Sequence, residues 1–296
     1  MKTKSIFTGV ATALITPTTK DGVDYKKCGL LIDRQIEAGI NALVILGTTG
    51  ESSTLSGAER REVMRFAVEH TAGRVPVICG TGCNNIQTAI KQTEYASSIG
   101  ADAVLVVTPY YNKATQRGLV ESYFAIADAS TVPVILYNVP SRTGVSIEPE
   151  TYLKLAQHPR IVAVKEACGN ISRVADTLAL AGDMLDVYSG EDDQIVPILS
   201  LGGKGVISVL SNVVPEVVVD MCDSFFAGNI QRASQLQLKY LPLIRALFSE
   251  VNPIPVKAAM SKLGYCENYL RLPLTPMEDG AREKLFACMR KLGIIA

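Results

Sequence analysis

The chain has 296 residues, 48% of them apolar and 20% charged, with 29 Lys+Arg against 29 Asp+Glu. This length is ample for a full core, in one large domain or two smaller ones. Zero net charge with no Lys/Arg run gives no electrostatic footprint for nucleic acid or an anionic membrane, and no apolar run reaches the length of a membrane span.

At the start, Met1-Lys2-Thr3-Lys4 followed by an apolar stretch and Ala11-Thr12-Ala13 superficially mimics a signal peptide. Thr8, Gly9 and Thr12 interrupt that stretch, which reads better as a first strand over 9–15. An amphipathic helix over 25–38 follows, with Leu30, Leu31 and Ile36 set among charges. Next comes a strand over 42–46, closing on Gly47-Thr48-Thr49-Gly50-Glu51. Ser56 and Glu59 form a capping-box pattern at the head of a helix over 56–70, which carries Val63, Phe66 and Ala67 against Glu59, Arg60, Arg61 and Glu62. Further strands are predicted over 75–80, 103–107, 134–137, 161–165, 185–189 and 205–208. Each is short, rich in Val and Ile, and bounded by Gly, Pro or polar residues.

Strands buried on both faces and joined by helices imply parallel pairing, and eight such units are the number that closes a (β/α)8 TIM barrel. An open doubly wound sheet gives no reason for eight evenly spaced units. The chain then runs on in helices alone, over 229–248, 255–263 and 278–292, with Pro253 and Pro273 at the joins. The expected organisation is therefore an α/β catalytic barrel over residues 1–228 and a C-terminal helical appendage over 229–296.

The seven cysteines (28, 79, 83, 168, 222, 266 and 288) show no C-x-x-C pair, which argues against a disulfide framework or a zinc site and for a reducing compartment. His70 and His158 are the only histidines, and both are expected at the surface. No metal or other cofactor is expected, and the protein is expected to be cytoplasmic.

Barrel active sites form where strands end at their carboxyl side. The strand ends here carry Gly47-Thr48-Thr49-Gly50-Glu51, Thr108-Pro109-Tyr110-Tyr111-Asn112, Tyr137, Lys165 and Ser189-Gly190-Glu191. The first loop can act as an anion nest, because its glycines let backbone N–H groups converge and Thr48 and Thr49 add hydroxyls. It lacks the Gly-Lys-Ser/Thr of a phosphate loop, and Gly80-Thr81-Gly82 lacks the full dinucleotide fingerprint. A buried amine at a strand end is a usable nucleophile near neutral pH, a nearby phenol moves protons, and an arginine fork holds a carboxylate. Singly, each residue has a plain structural reading: a turn, a snorkelling lysine, a rim tyrosine, a loop arginine. Together, Lys165, Tyr137, Tyr111 and Arg142 suggest Schiff-base chemistry on a keto acid. Glu166 is not expected to pair with Lys165, because adjacent strand residues face opposite sides.

Gly47-Thr48-Thr49-Gly50-Glu51, Tyr110-Tyr111-Asn112, the run from Tyr137 through Asn138-Val139-Pro140-Ser141-Arg142-Thr143-Gly144, and Val164-Lys165-Glu166 closely resemble the dihydrodipicolinate synthase family, within the pyruvate-dependent class I aldolase (N-acetylneuraminate lyase) superfamily. The resemblance runs nearly end to end, from Gly9-Val10-Ala11-Thr12-Ala13 to Asn252-Pro253-Ile254-Pro255-Val256-Lys257 and Arg271-Leu272-Pro273-Leu274. It implies a lyase of lysine (diaminopimelate) biosynthesis that joins pyruvate to L-aspartate 4-semialdehyde. Lys165 would form the imine, and Tyr137 would relay protons, held by Thr48 and extended by Tyr111 from a neighbouring subunit. Thr48 and Thr49, partly through backbone N–H groups, would hold the pyruvate carboxylate, with Gly50 of the same loop among the substrate-binding residues. Gly190 and Ile207 would line the pyruvate pocket, and Arg142 would bind the semialdehyde carboxylate. A homo-oligomer, a dimer of dimers, is implied as well.

Arg142 separates this reading from the aldolases of N-acetylneuraminate or 2-keto-3-deoxy sugar acids, which act on polyols and generally lack an arginine there. A keto-acid-binding barrel without activity is the reading from another class, and trapping of an imine discriminates it. The resemblance fails at the lysine feedback site of some family members. Gly57, Arg60 and Thr88 stand there in place of two histidines and a glutamate, while Asn84 and Tyr110 remain. Feedback inhibition by lysine is therefore expected to be weak or absent.

Overall fold

The computed structural model describes residues 5–296, so the Met1-Lys2-Thr3-Lys4 part of the leader-like pattern lies outside the described residues. Eight parallel strands, Gly9–Ala13, Ala42–Ile45, Val77–Gly80, Ala103–Val107, Val134–Asn138, Ile161–Glu166, Asp186–Ser189 and Gly205–Ser208, form a closed barrel in sequential order. Closure comes from the pairing of Gly9 with Gly205 in register, continuing to Thr12 with Ser208. A two-residue antiparallel ribbon, Thr18–Thr19 with Gly22–Val23, follows the first strand.

Alternation along each strand divides the core into two. Ala11, Ala13, Ala42, Val44, Ala103, Ile135, Tyr137, Ala163 and Ile207 point into the barrel, where Phe7 stacks on Tyr188 with ring centroids 4.1 Å apart. Their neighbours Val10, Leu43, Ile45, Val104, Val134, Leu136 and Val164 face the surrounding helices. The small alanines leave room for the two aromatic rings, so the interior is packed rather than open.

The helix Gly57–Thr71 starts on the Ser56/Glu59 capping box, with both reciprocal hydrogen bonds present. The first strand ends at Ala13 rather than at residue 15, although Leu14 and Ile15 are buried. Ile15 N–H turns to the side chain of Asn212 instead of a ladder partner. The histidines are half-buried rather than at the surface. His70 lies 3.0 Å from Asp33 and stacks on Phe66, and the His158 side chain is only 12% exposed against Asp128 and Phe124.

After the barrel, Ile230–Leu247 packs along Pro215–Phe226, and Ile254–Lys262 and Asp279–Lys291 pack on it in turn. Gln237 ties this layer to the barrel by accepting from Val196 N–H and donating to the Asp192 carbonyl. Among the described residues no helix is long and apolar enough to cross a membrane.

Candidate active site

Strand parity decides which groups reach the interior. Lys165 lies two residues beyond the inward Ala163, so it shares that face, and the register sets it directly beside Tyr137 on the preceding strand. Its Nζ stands 4.6 Å from the centroid of the Tyr137 ring, and the two residues are only 5% and 7% exposed. Glu166 turns the other way, as expected. Its carboxylate accepts from the Tyr152 hydroxyl at 2.7 Å and from Asn138 Nδ2 at 2.8 Å. Burial raises the Glu166 carboxyl above its ordinary range.

Beside the lysine stem the backbone comes unusually close. A Cβ on Gly190 would lie 2.7 Å from that of Ala167 and 3.1 Å from Lys165 Cε, so only glycine fits. Ile207, fully buried, belongs to the same inner cluster as Tyr137 and Tyr188. Lys165, Tyr137, Gly190 and Ile207, separated by up to seventy residues of chain, therefore converge on one end of the barrel.

The loop after the second strand winds into a 3-10 turn, Thr48–Gly50, and ends on Glu51 at φ 55°. Each part of it is held. Thr49 Oγ1 accepts from Asn252 Nδ2 at 3.0 Å, the Gly50 carbonyl accepts from Thr16 Oγ1 at 2.8 Å, and Glu51 lies 2.6 Å from Lys257 Nζ. Lys257 also donates to Thr18 Oγ1 and to the Tyr269 carbonyl. Thr48 is half-buried and shares with Tyr137 a cavity of about 40 Å³ that Gly80 and Gly82 also line. A Cβ at Gly80 would lie 2.2 Å from the Leu46 carbonyl oxygen, so the third strand can pass this loop only as glycine.

Arg142 sits in the short helix Pro140–Thr143 at the mouth, exposed, with Nη2 donating to the Asn252 carbonyl at 3.1 Å. Asn252 thus links the Thr49 hydroxyl to the guanidinium. A larger cavity, about 390 Å³, opens at the same strand ends between Gly169, Glu191, Asp193, Arg245 and Phe248. Burial, then the neighbouring Asp193 and Glu166 carboxylates, push the Glu191 carboxyl up. Asp192 is buried beneath it and accepts from Ser208 Oγ and from the Val209 and Leu210 N–H groups, which pins the loop after the eighth strand.

Tyr111 does not join this group within the chain. It is 92% exposed and sits at φ 71°, a left-handed conformation that a bulky side chain adopts only when its surroundings hold it there. Three residues beyond the expected set complete the site: Asn252, Lys257 and Asp192. The signal for Lys257 was in the sequence, as a lysine inside the apolar run Val256 to Met260.

The chain was compared with known proteins. The model of the dihydrodipicolinate synthetase family matches residues 6–292. A curated relative, the 4-hydroxy-tetrahydrodipicolinate synthase of Alkaliphilus oremlandii, is 50% identical over 290 residues, covering 98% of this chain and 100% of its own. The crystal structure of dihydrodipicolinate synthase from Aquifex aeolicus superimposes with a TM-score of 0.95 at 43% identity, covering 97% of this chain and 99% of that one. A structure of a monomeric dihydrodipicolinate synthase variant gives 0.96 at 41% identity, covering 98% of each chain. With an eightfold barrel, a lysine beside a tyrosine at its carboxyl end, and this likeness along nearly the whole length, the chain belongs to the dihydrodipicolinate synthetase family.

Proposed function

We propose that this chain condenses pyruvate with L-aspartate 4-semialdehyde through an imine on Lys165, giving 4-hydroxy-tetrahydrodipicolinate. The observation that carries the reading is the buried Lys165 amine over the Tyr137 ring, 4.6 Å from its centroid, at the carboxyl end of the barrel. The amine attacks the pyruvate ketone, and loss of water leaves the imine. Tyr137 moves the protons this requires. The protonated imine draws electrons from the methyl group, which loses a proton to become an enamine. The enamine carbon adds to the aldehyde carbon of the semialdehyde. The substrate amine then attacks the imine carbon, closes a six-membered ring and releases Lys165.

In this reading the Thr48–Gly50 turn holds the pyruvate carboxylate, while Gly190 and Ile207 shape the pocket around its methyl end. Arg142 receives the carboxylate of the second substrate, and its fixed fork suits a short acidic aldehyde better than a neutral polyol. Tyr111, exposed and held at positive φ, serves a second copy of the chain, extending that copy's relay from Tyr137 toward solvent. The working form is thus a homo-oligomer with a tight dimer at its centre.

The test is incubation with pyruvate, borohydride reduction, and measurement of intact and peptide masses. A reduced pyruvyl adduct on Lys165 supports the chemistry, and turnover of aspartate semialdehyde but not of N-acetylmannosamine supports the substrate. No adduct on folded protein sinks the proposal and leaves a keto-acid-binding barrel.

A further inference from the structure

The strand that carries Lys165 is not regular. Against Val134–Asn138 it pairs Ile161 with Val134 and then Ala163 with Ile135, so Val162 is an extra residue in the ladder. From there the register runs on to Lys165 with Tyr137 and Glu166 with Asn138. Ile161 belongs to the core under the surrounding helices, whereas Val162 and Ala163 both pack with the barrel interior. Strict alternation from Ile161 would turn Lys165, four residues on, outward as well. The bulge reverses that phase and aims the amine inward, and a slip of one residue would undo it.

What holds the bulged phase at the carboxyl end lies on the outer side of the two strands. Asn138 and Glu166 follow directly on Tyr137 and Lys165, are 0% and 4% exposed, and are joined by Asn138 Nδ2 donating to Glu166 Oε1 at 2.8 Å. The amide cannot turn over, because its Oδ1 accepts from Ile147 N–H at 3.1 Å while Nδ2 also reaches Ser146 Oγ at 3.3 Å. Glu166 Oε2 accepts from the hydroxyl of Tyr152, itself 1% exposed. Both carboxylate oxygens are thus answered by donors fixed in the outer layer. Without the bulge, Asn138 would stand opposite Lys165, which offers its amide no acceptor, and Glu166 would turn into the site. We infer that Asn138 and Glu166 are positioning residues, whose buried hydrogen bond locks the strand Ile161–Glu166 in the bulged register that sets Lys165 beside Tyr137. The inference rests on the reading of Lys165 as the imine-forming residue.

The test exchanges donor and acceptor across the two strands of the full chain. Asn138→Asp sets two buried carboxylates face to face. Trapping of the pyruvyl adduct by borohydride at saturating pyruvate is expected to slow about 10–100-fold, the effect of an ångström-scale misplacement of the amine. A residue that only stabilises the fold would leave this rate, measured on folded protein, where it was. Adding Glu166→Gln supplies a donor to the new carboxylate and keeps an acceptor for Tyr152, so the double variant should regain most of the rate. Glu166→Gln alone keeps an acceptor for Asn138 and should lose far less than Asn138→Asp. Circular dichroism shows which variants fold. Asn138→Ala, expected to lose the rate with no return on adding Glu166→Gln, stands in for Asn138→Asp if that does not fold. Amide exchange read by mass spectrometry over 134–139 and 161–167 follows the register itself, and should quicken in Asn138→Asp and recover in the double variant. The inference is overturned if folded Asn138→Asp traps at the parent's rate, if the double variant recovers nothing, or if exchange in the two strands is unchanged. A parent that traps no adduct defeats the imine reading instead, and the amide exchange then judges the lock alone.

Discussion

Lys257 Nζ stands 2.6 Å from Glu51 Oε1, and both side chains are sealed from solvent, at 0% and 1% exposure. One partner closes the Thr48–Gly50 turn and the other belongs to the helix Ile254–Lys262, so a segment beyond the barrel fixes the loop proposed to hold pyruvate. Breaking such a pair from one side strands a buried charge and costs about 3–5 kcal/mol. Lys257→Met is expected to destabilise the protein by about that much and to raise the KM for pyruvate. Urea unfolding provides the check, and pairing the change with Glu51→Gln should recover a large part of the loss. Equal instability of the single and double variants would contradict this account.

Tyr137→Phe keeps the ring under Lys165 but removes the proton-carrying hydroxyl. The turnover number is expected to fall about 10²–10⁴-fold, the usual contribution of a positioned acid–base group. Borohydride should still trap a pyruvyl adduct, only more slowly. Steady-state kinetics beside a trapping time course distinguishes this from a pocket that no longer binds pyruvate.

Gly190→Ala would press a methyl group to within 3.1 Å of Lys165 Cε and 2.7 Å of the Ala167 methyl. Overpacking of this kind costs about 1–3 kcal/mol, and part of it is expected to appear as displacement of the lysine. The rate of adduct formation should fall more than overall stability does. Stopped reaction with borohydride, set against a thermal melt, measures both.

Arg142→Ala removes the fork proposed for the second substrate while leaving Lys165 untouched. The kcat/KM for aspartate semialdehyde should drop about 10–100-fold, as loss of a charge-assisted hydrogen bond implies. Pyruvate trapping should be unaffected. A matching loss of trapping would place Arg142 with the first substrate instead.

The Arg271 guanidinium, 2.6 Å away, holds the Glu59 carboxyl well below its usual range, at about 2. A depressed carboxylate stabilises the fold above its unfolded-state pKa of about 4.3, and that stability drains away as pH falls toward 2. The side chains are 29% and 23% exposed, so solvent screening trims the contribution to about 1 kcal/mol. Arg271→Gln should therefore be less stable than the parent by about that amount at pH 6, with the gap closing near pH 2. Urea midpoints across this range measure it, and a gap independent of pH would show that Arg271 acts by packing alone.

The eight strands were legible because each is a short Val/Ile-rich run bounded by turn residues, and the final helices because their amphipathic pattern is unbroken. Ala103–Val107 and Gly205–Ser208 fall where the pattern places them, whereas the first strand stops short at Ala13. Apolarity reports burial, and Leu14 and Ile15 stay buried after the ladder has ended. The histidines show the reverse error. Nothing in the flanking charges of His158 signals that Phe124 and Asp128, some thirty residues earlier, close over it.

By itself the sequence determined the barrel, the lysine and tyrosine at neighbouring strand ends, and the opposite facing of Glu166, since all of these follow from two-residue periodicity and strand count. Only the tertiary structure decided that Asn252 joins Thr49 to Arg142, that Lys257 neutralises Glu51, and that Gly190 clears space for the Lys165 stem. Those contacts link chain segments as much as two hundred residues apart, where no local pattern carries information about which side chain faces which.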